Sequence, residues 1–177
     1  APWEAELRLI ARATGTEAKA EQVIDDIDTR IAAMAAANPD FRGHSATMGY
    51  FASDHFVGYR RDDGGNRLLA QLGLQSPPIF DELVQSDGQF SVSPERLDLF
   101  DLDAVVWLVD PQTAAHIRAL PVYGHTRLAQ EGRAIWPEPD LNGALSFMTP
   151  LSISYALDRL EPLLRDALDG DPATGGD

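Results

Sequence analysis

Asp101-Leu-Asp-Ala-Val-Val-Trp-Leu-Val-Asp-Pro111 decides the fold class. Between its acidic ends the apolar run Ala104 to Val109 has no polar interruption and is rich in β-branched and aromatic side chains. A run this short with that composition predicts a strand rather than a helix. Apolar and polar residues do not alternate in it, so both faces must be covered, as for an inner strand of a parallel sheet between helical layers. Ligands of such sheets meet the loops beyond the carboxyl ends of the strands, which directs attention to Asp110.

Upstream of that stretch, Leu7, Leu9, Ile10 and Ala13 predict a short helix closed at Gly15. Thr16 reads as the N-cap of a second helix. Val23, Ile24, Ile27, Ile31 and Met34 follow at helical spacing until Asn38-Pro39 stops the run. Ser45 to Ala52 predicts the first strand, and 53–65 a loop carrying Phe56, Tyr59, Arg60 and Arg61. A helix with Leu68, Leu69 and Leu72 on one face ends at Gly73. Pro77-Pro78 breaks the chain, Ile79 to Val84 forms a helical turn or two, and Phe90 to Val92 a short strand. Ser93-Pro94-Glu95 opens a further helix, with a Ser cap and Pro at the first helical position.

Downstream, 112–119 and 122–130 predict helices separated by Pro121, and Arg133 to Trp136 the next strand. Residues 137–146 read as a loop rich in turn formers. Thr149-Pro150 caps a last helix with Leu151, Ile153, Ala156, Leu157, Leu160, Leu163, Leu164 and Leu168, and the tail after Gly170 reads as disordered. Strands separated by helices imply right-handed crossovers and a parallel sheet.

The composition narrows the function classes. With 177 residues the chain is one domain large enough for a real core. Only 14 basic residues face 28 acidic ones, for a net charge of -14. Phosphate backbones and anionic membrane surfaces need clustered Lys and Arg, so neither is an expected partner. The absence of cysteine removes disulfides, thiolate metal sites and thiol nucleophiles. No apolar run reaches transmembrane length. Ala1-Pro2-Trp3 is not a signal peptide, so an exported protein would have lost its targeting segment.

Catalytic patterns are not matched. Asp110 before a Pro at a strand end invites comparison with a phosphoacceptor, but that chemistry needs a strand-end Lys and the chain's one Lys is Lys19. Capping the next helix is the plainer role for Asp110. Gly64-Gly65 ahead of a helix offers backbone amides to a phosphate, yet neither a G-x-G-x-x-G nor a P-loop is present. His44, His55, His116 and His125 lack the spacing of a helical zinc pair. No serine lies in a G-x-S-x-G elbow. No catalytic residue, cofactor or metal site is therefore assigned. Arg60 and Arg61 beside Phe56 and Tyr59 suit a planar, anionic, aromatic ligand. Equally, the two arginines pair with Asp62 and Asp63 on the surface, which contributes little.

The order of the pieces resembles a family. The helices from Trp3 to Ala37 with Ala13-Thr14-Gly15 come first, then Asp63-Gly64-Gly65 with Leu68-Leu69-Ala70-Gln71-Leu72-Gly73. Ser93-Pro94-Glu95-Arg96-Leu97 stands ahead of Asp103-Ala104-Val105-Val106, and Leu120-Pro121-Val122-Tyr123 ahead of Gly132-Arg133-Ala134-Ile135. Tyr155-Ala156-Leu157-Asp158-Arg159-Leu160 lies in the final helix. In this arrangement the chain resembles the second lobe of the helical-backbone periplasmic binding proteins, which serve ABC importers of ferric siderophores, haem and cobalamin.

That resemblance implies an α/β three-layer domain with a mainly parallel sheet, preceded by a connector helix. Residues 1–38 would be connector helices, 39–170 the C-terminal lobe, and 171–177 a disordered tail. It implies a non-enzymatic protein, exported to the periplasm or lipid-anchored to the outer face of the cell membrane. Such a protein binds a ferric siderophore, in preference to haem or cobalamin, and delivers it to an ABC permease. The ligand would lie between this lobe and an N-terminal lobe missing from the chain, against Phe56, Tyr59, Arg60, Arg61, Asp110, Asn142 and Phe147. Glu95 matches the position of an acidic permease-docking residue. The competing expectation is a flavodoxin-like enzyme domain whose same loop holds a cofactor or nucleotide phosphate.

Overall fold

The computed structural model describes residues 2–174. Ala104–Trp107 is a strand, β4, buried along its whole length. It lies in a five-stranded sheet of order β3-β2-β1-β4-β5, with β1 Ala46–Ala52, β2 His55–Tyr59, β3 Gln89–Val92 and β5 Ala134–Ile135. β4 runs parallel to β1 and to β5, while β2 is antiparallel to both of its neighbours. Four strands therefore point one way and β2 alone is reversed. Leu108 and Val109, expected in the strand, have left it: the Leu108 N–H donates to the Gly49 carbonyl at 2.7 Å and the Val109 N–H turns back to Trp107 at 2.9 Å.

The lack of alternation in β4 has its explanation in two separate cores. On one face Ala104 and Val106 join Met48 and Ile135 beneath three helices, α2 Glu17–Ala37, α3 Gly64–Gln71 and α8 Pro150–Leu168. Ile24, Ile27, Ile31 and Met34 of α2 and Ile153, Leu157, Leu160 and Leu164 of α8 supply most of that layer. On the other face Val105 and Trp107 meet Phe56, Phe90 and Phe100, with Phe80 from α4 Ile79–Leu83, Ile117 from α5 Pro111–Ala119 and Leu128 from α6 Arg127–Gln130. The result is the expected three-layer α/β domain. Ahead of it, α1 Trp3–Thr14 ends at Gly15, whose left-handed φ of 68° favours glycine, and packs on α2.

Two expectations for individual segments fail for identifiable reasons. Residues 53–65 are not a plain loop, because β2 returns along β1 with Ala52 opposite His55. The two-residue connection requires positive φ at both positions, met by Ser53 at 51° and Asp54 at 59°. Asn-Gly is the usual signature of such a turn; Ser-Asp gives no comparable signal. Residues 137–146 are likewise not a loop, since α7 Pro139–Phe147 starts with Pro at its first turn and buries Leu141, Ala144 and Leu145 at helical spacing. Asn142 and Gly143 disguised it as a turn. Smaller departures follow local hydrogen bonding. Pro94–Phe100 is 3-10 helix, and the Val122-to-Gln130 segment divides at Thr126, whose hydroxyl donates to the Tyr123 carbonyl at 2.7 Å and accepts the Ala129 N–H. Residues 171–174 form a turn against Asp169, and 175–177 lie outside the described residues.

The aromatic core depends on missing side chains. Gly49 and Gly58 stand directly opposite each other in β1 and β2. A Cβ on Gly58 would overlap the Phe90 ring, and one on Gly49 would lie 3.2 Å from Phe100 and 2.9 Å from the Val57 carbonyl oxygen. The rings of Phe90 and Phe100 stack at 5.8 Å over this bare backbone. Gly58→Ala is therefore expected to destabilise the fold by about 1–3 kcal/mol through overpacking, read as a lower denaturant midpoint. An unchanged midpoint would show that Phe90 can move aside.

At the amino ends of β1 and β4, Asp103 is held by Arg133 at 2.6 Å and by the Ser45 N–H and hydroxyl, each at 2.9 Å. Burial pushes its carboxyl pKa up, but the Ser45 donors, Arg133 and His44 together hold it down at about 2. A carboxylate with a depressed folded-state pKa contributes stability above its unfolded pKa and loses it as pH falls through the folded value. Stability should therefore decline between about pH 4 and pH 2. Asp103→Asn should be less stable at neutral pH and show a flatter acid limb; an acid limb identical to the parent's would remove Asp103 from the account.

Candidate functional site

Where β2 leaves β1, a buried asparagine takes over the hydrogen bonding. The Asn66 Oδ1 accepts from the Met48 N–H at 2.9 Å and from the Thr47 hydroxyl at 3.0 Å. Its Nδ2 donates to the carbonyls of Tyr59 and Arg60 at 3.3 and 3.0 Å. All four bonding positions of the amide are used, and the residue is 2% exposed. Its chain neighbour Gly65 lets α3 close on the sheet, since a Cβ there would sit 2.6 Å from the Met48 sulfur. Asn66 therefore fixes the end of β2, the start of α3 and the backbone at Tyr59 and Arg60 relative to one another.

Two adjoining hollows open there, on the sheet face that carries α3, α7 and α8. The larger, of about 500 Å³, has walls from Trp3, Tyr59, Arg60, Arg67, Phe147 and Met148. The smaller, of about 350 Å³, runs over Met48, Tyr50, Leu108 and Leu145. Both touch Tyr59, Asp63, Gly64 and Met148, so they form one concave region. Tyr50 and Tyr59 lie 5.8 Å apart between ring centres, and the Tyr50 hydroxyl donates to Gln89 at 2.9 Å. Burial raises the pKa of Tyr59 well above the ordinary phenol value, so it presents a neutral hydroxyl. Met148 sits between α7 and α8 at φ 48°, a left-handed conformation uncommon for a side chain of this kind. Phe147, a wall residue of the larger hollow, is 80% exposed, and Leu151 in the first turn of α8 is 86% exposed.

The expected site residues separate into two groups. Tyr59, Arg60 and Phe147 come together on the larger hollow. The others lie elsewhere. Phe56 is fully buried on the opposite face of the sheet, 5.2 Å from Trp107 between ring centres, so no ligand reaches it. The alternation of β2, unrecognised as a strand, is the reason. Arg61 points to Asp81 at 3.6 Å, and its N–H donates to the same carboxylate at 3.1 Å. Asp110 caps α5, accepting from the Gln112 and Thr113 N–H groups and the Thr113 hydroxyl, which lowers its pKa. The Asn142 amide donates to the Val109 carbonyl at 2.7 Å, tying α7 to the end of β4. Glu95 is exposed and lines neither hollow, and its pKa is lowered by the Ser93 hydroxyl.

Sequence reasoning missed Trp3, Tyr50, Leu108 and Met148 as wall residues. Tyr50 and Leu108 follow from the strand-end rule once β1 and β4 are placed; Trp3 and Met148 carry no local signal. At the Gly64-Gly65 turn, where a flavodoxin-like reading would put a phosphate, the Asp63 carboxylate accepts the Gly65 N–H at 3.3 Å. Burial pushes the Asp63 carboxyl upward against that bond. Among the described residues no group of three His, Asp or Glu side chains gathers to hold a metal ion, and no helix is long and apolar enough to cross a membrane.

No protein-family model matches the sequence, and comparison with curated proteins finds no relative. Solved structures do match. A periplasmic solute-binding protein of Mycobacterium smegmatis superposes with a TM-score of 0.81 at 22% identity, over 95% of this chain and 57% of that one. PiaA of Streptococcus pneumoniae in complex with ferrichrome gives 0.77 at 21% identity, over 97% and 60%. A FhuD-fold periplasmic binding protein component of a ferrichrome ABC transporter from Bacillus subtilis gives 0.74 at 21%, over 93% and 62%. The chain thus has the fold of these solute-binding proteins and spans about three-fifths of their length.

Proposed function

We propose that this chain is the C-terminal lobe of the substrate-binding component of an ABC importer, and that it holds a ferric siderophore in preference to haem or cobalamin. The reading is carried by one juxtaposition. The fold likeness to siderophore-transport proteins covers nearly the whole chain, and the aromatic hollow has a largely exposed ring, Phe147, in its wall, with exposed Leu151 four residues further on. Single exposed apolar residues are ordinary, but large ones grouped beside a cavity mark binding surfaces. Tyr59, Arg60 and Phe147 would contact the chelate on this side, and an N-terminal lobe would supply the facing wall.

Nothing in this role asks for chemistry. The protein would bind and release, working outside the cytoplasm, in the periplasm or lipid-anchored to the outer face of the cell membrane. Its permease would meet it through exposed acidic groups, Glu95 among them, and such rim charges act on encounter more than on affinity.

The test is titration of tryptophan fluorescence with a ferric siderophore, for which Trp3 in the wall is the reporter. Saturable quenching is expected. Phe147→Ala should weaken binding about three- to tenfold, the worth of one ring contact, without changing stability. Arg61→Ala should leave affinity unaltered, since Asp81 already holds its guanidinium. Absence of quenching by any iron chelate would sink the assignment; equal losses for both variants would misplace the site. For docking, Glu95→Ala in the protein that carries this lobe should reduce iron uptake by cells while chelate affinity stays constant. Uptake at the parental rate would relieve Glu95 of that role.

A further inference from the structure

Sulfur is scarce in this chain, and one sulfur-bearing side chain stands apart from the rest. With no cysteine, all of the sulfur belongs to three methionines. Met34 and Met48 are 8% and 1% exposed and lie inside the core beneath α2 and α3. Met148 packs against that core without being buried in it, and it lines both hollows. Its side chain lies over the first residue of α3, since a Cβ built on Gly64 would stand 3.7 Å from the Met148 Cγ. The backbone there is left-handed, at φ 48°, a conformation that favours glycine. What suits a methionine at this position is therefore the side chain. A flexible thioether gives a binding wall adaptable apolar surface. In a chain without thiols, a half-buried one is also the sulfur most open to two-electron oxidants.

We propose that Met148 is a peroxide-sensitive modification site, and that its oxidation to the sulfoxide weakens chelate binding at the hollow; this rests on the siderophore reading above. The sulfur takes one oxygen atom from hydrogen peroxide. The O–O bond breaks, an S–O bond forms, the sulfur loses two electrons and the rest of the peroxide leaves as water. A polar group then replaces an apolar one, in a wall shared with Trp3, Tyr59 and Phe147. A chelate that covers the new oxygen must supply a donor or leave a polar atom desolvated and unpaired, which costs binding free energy. Sulfoxide reductases reverse the change, so the hollow can be reset. The sense of the coupling is chemical. Iron in its reduced state cleaves peroxide to hydroxyl radical, and a binding protein that loosens its chelate while peroxide is present passes on less iron.

The experiment treats this chain with hydrogen peroxide, removes the oxidant, and maps the methionines by peptide mass. Met148 is expected to gain one oxygen at least about tenfold faster than Met34 or Met48, because oxidation follows exposure. Isothermal titration with a ferric trihydroxamate should then give an affinity about three- to tenfold below that of the untreated chain, with the thermal midpoint unchanged. Met148→Leu keeps an apolar side chain of similar volume. Whatever affinity that variant has of its own, peroxide should leave it where it was. Four results overturn the inference while the siderophore reading stands: oxidation that spares Met148, oxidised protein that binds as tightly as untreated, a Met148→Leu chain that responds as the parent does, and a loss of affinity that arrives only with a loss of fold. Failure of the untreated chain to bind any ferric chelate removes both.

Discussion

The side-chain amide of Asn66 is the interaction on which the site depends. It accepts the N–H of Met48 and binds the carbonyl of Tyr59, two groups at the level where the β1–β2 ladder stops. An asparagine can do this because one amide carries both an acceptor and a donor end in the geometry of a peptide group. It thereby stands in for the strand that is no longer there. With the ladder opened but every polar group still paired, the sheet ends in a fixed shape rather than a frayed one. Buried amides left unpaired would cost about 1–3 kcal/mol each, so few other side chains would serve.

From that point the two cores divide the work. The aromatic face is closed: Phe56, Phe90, Phe100 and Trp107 fill it against the bare backbone of Gly49 and Gly58. The other face is closed over its lower half by α2, α3 and α8 but left open above Met48, where Tyr50, Tyr59 and Leu108 line the hollow. The closed face backs the sheet along its length, and the open one leaves room for the hollow. Positioning a site on strands and helix ends in this way is more exact than building it on loops alone.

The fold was largely legible because its signals are of the strong kind. A non-alternating apolar run told of two covered faces, and both faces exist around Ala104–Trp107. Isoleucines at helical spacing marked α2, and Thr149-Pro150 marked the start of α8, where Thr149 and Ser152 form a reciprocal cap. The site was legible only in part. Reading 53–65 as a loop assigned every aromatic side chain in it to the ligand, whereas a strand sends Phe56 to one face and Tyr59 to the other. One unrecognised turn, Ser53-Asp54, was enough to misplace a residue. The adjacent pair Arg60 and Arg61 was likewise split by backbone direction, toward the hollow and toward Asp81. Spacing along a sequence fixes which residues share a face only once the local period is known.

The bend at Met148 shows what the open face demands. Leu145 at the end of α7 is buried and Ile153 in the first turn of α8 is buried, so the two helices are anchored on either side of it. Between them the chain must reverse within Phe147, Met148 and Thr149, and Met148 adopts a left-handed conformation that glycine would take without strain. A glycine there would ease the backbone but would remove the side chain that lines both hollows. The same reversal turns Phe147 and Leu151 outward, where they gain nothing from the core. Folding alone would favour a glycine at the bend and polar residues at the two exposed positions. The sequence places apolar groups at all three positions, which is the arrangement expected when the partner of that surface is a ligand or another lobe rather than water.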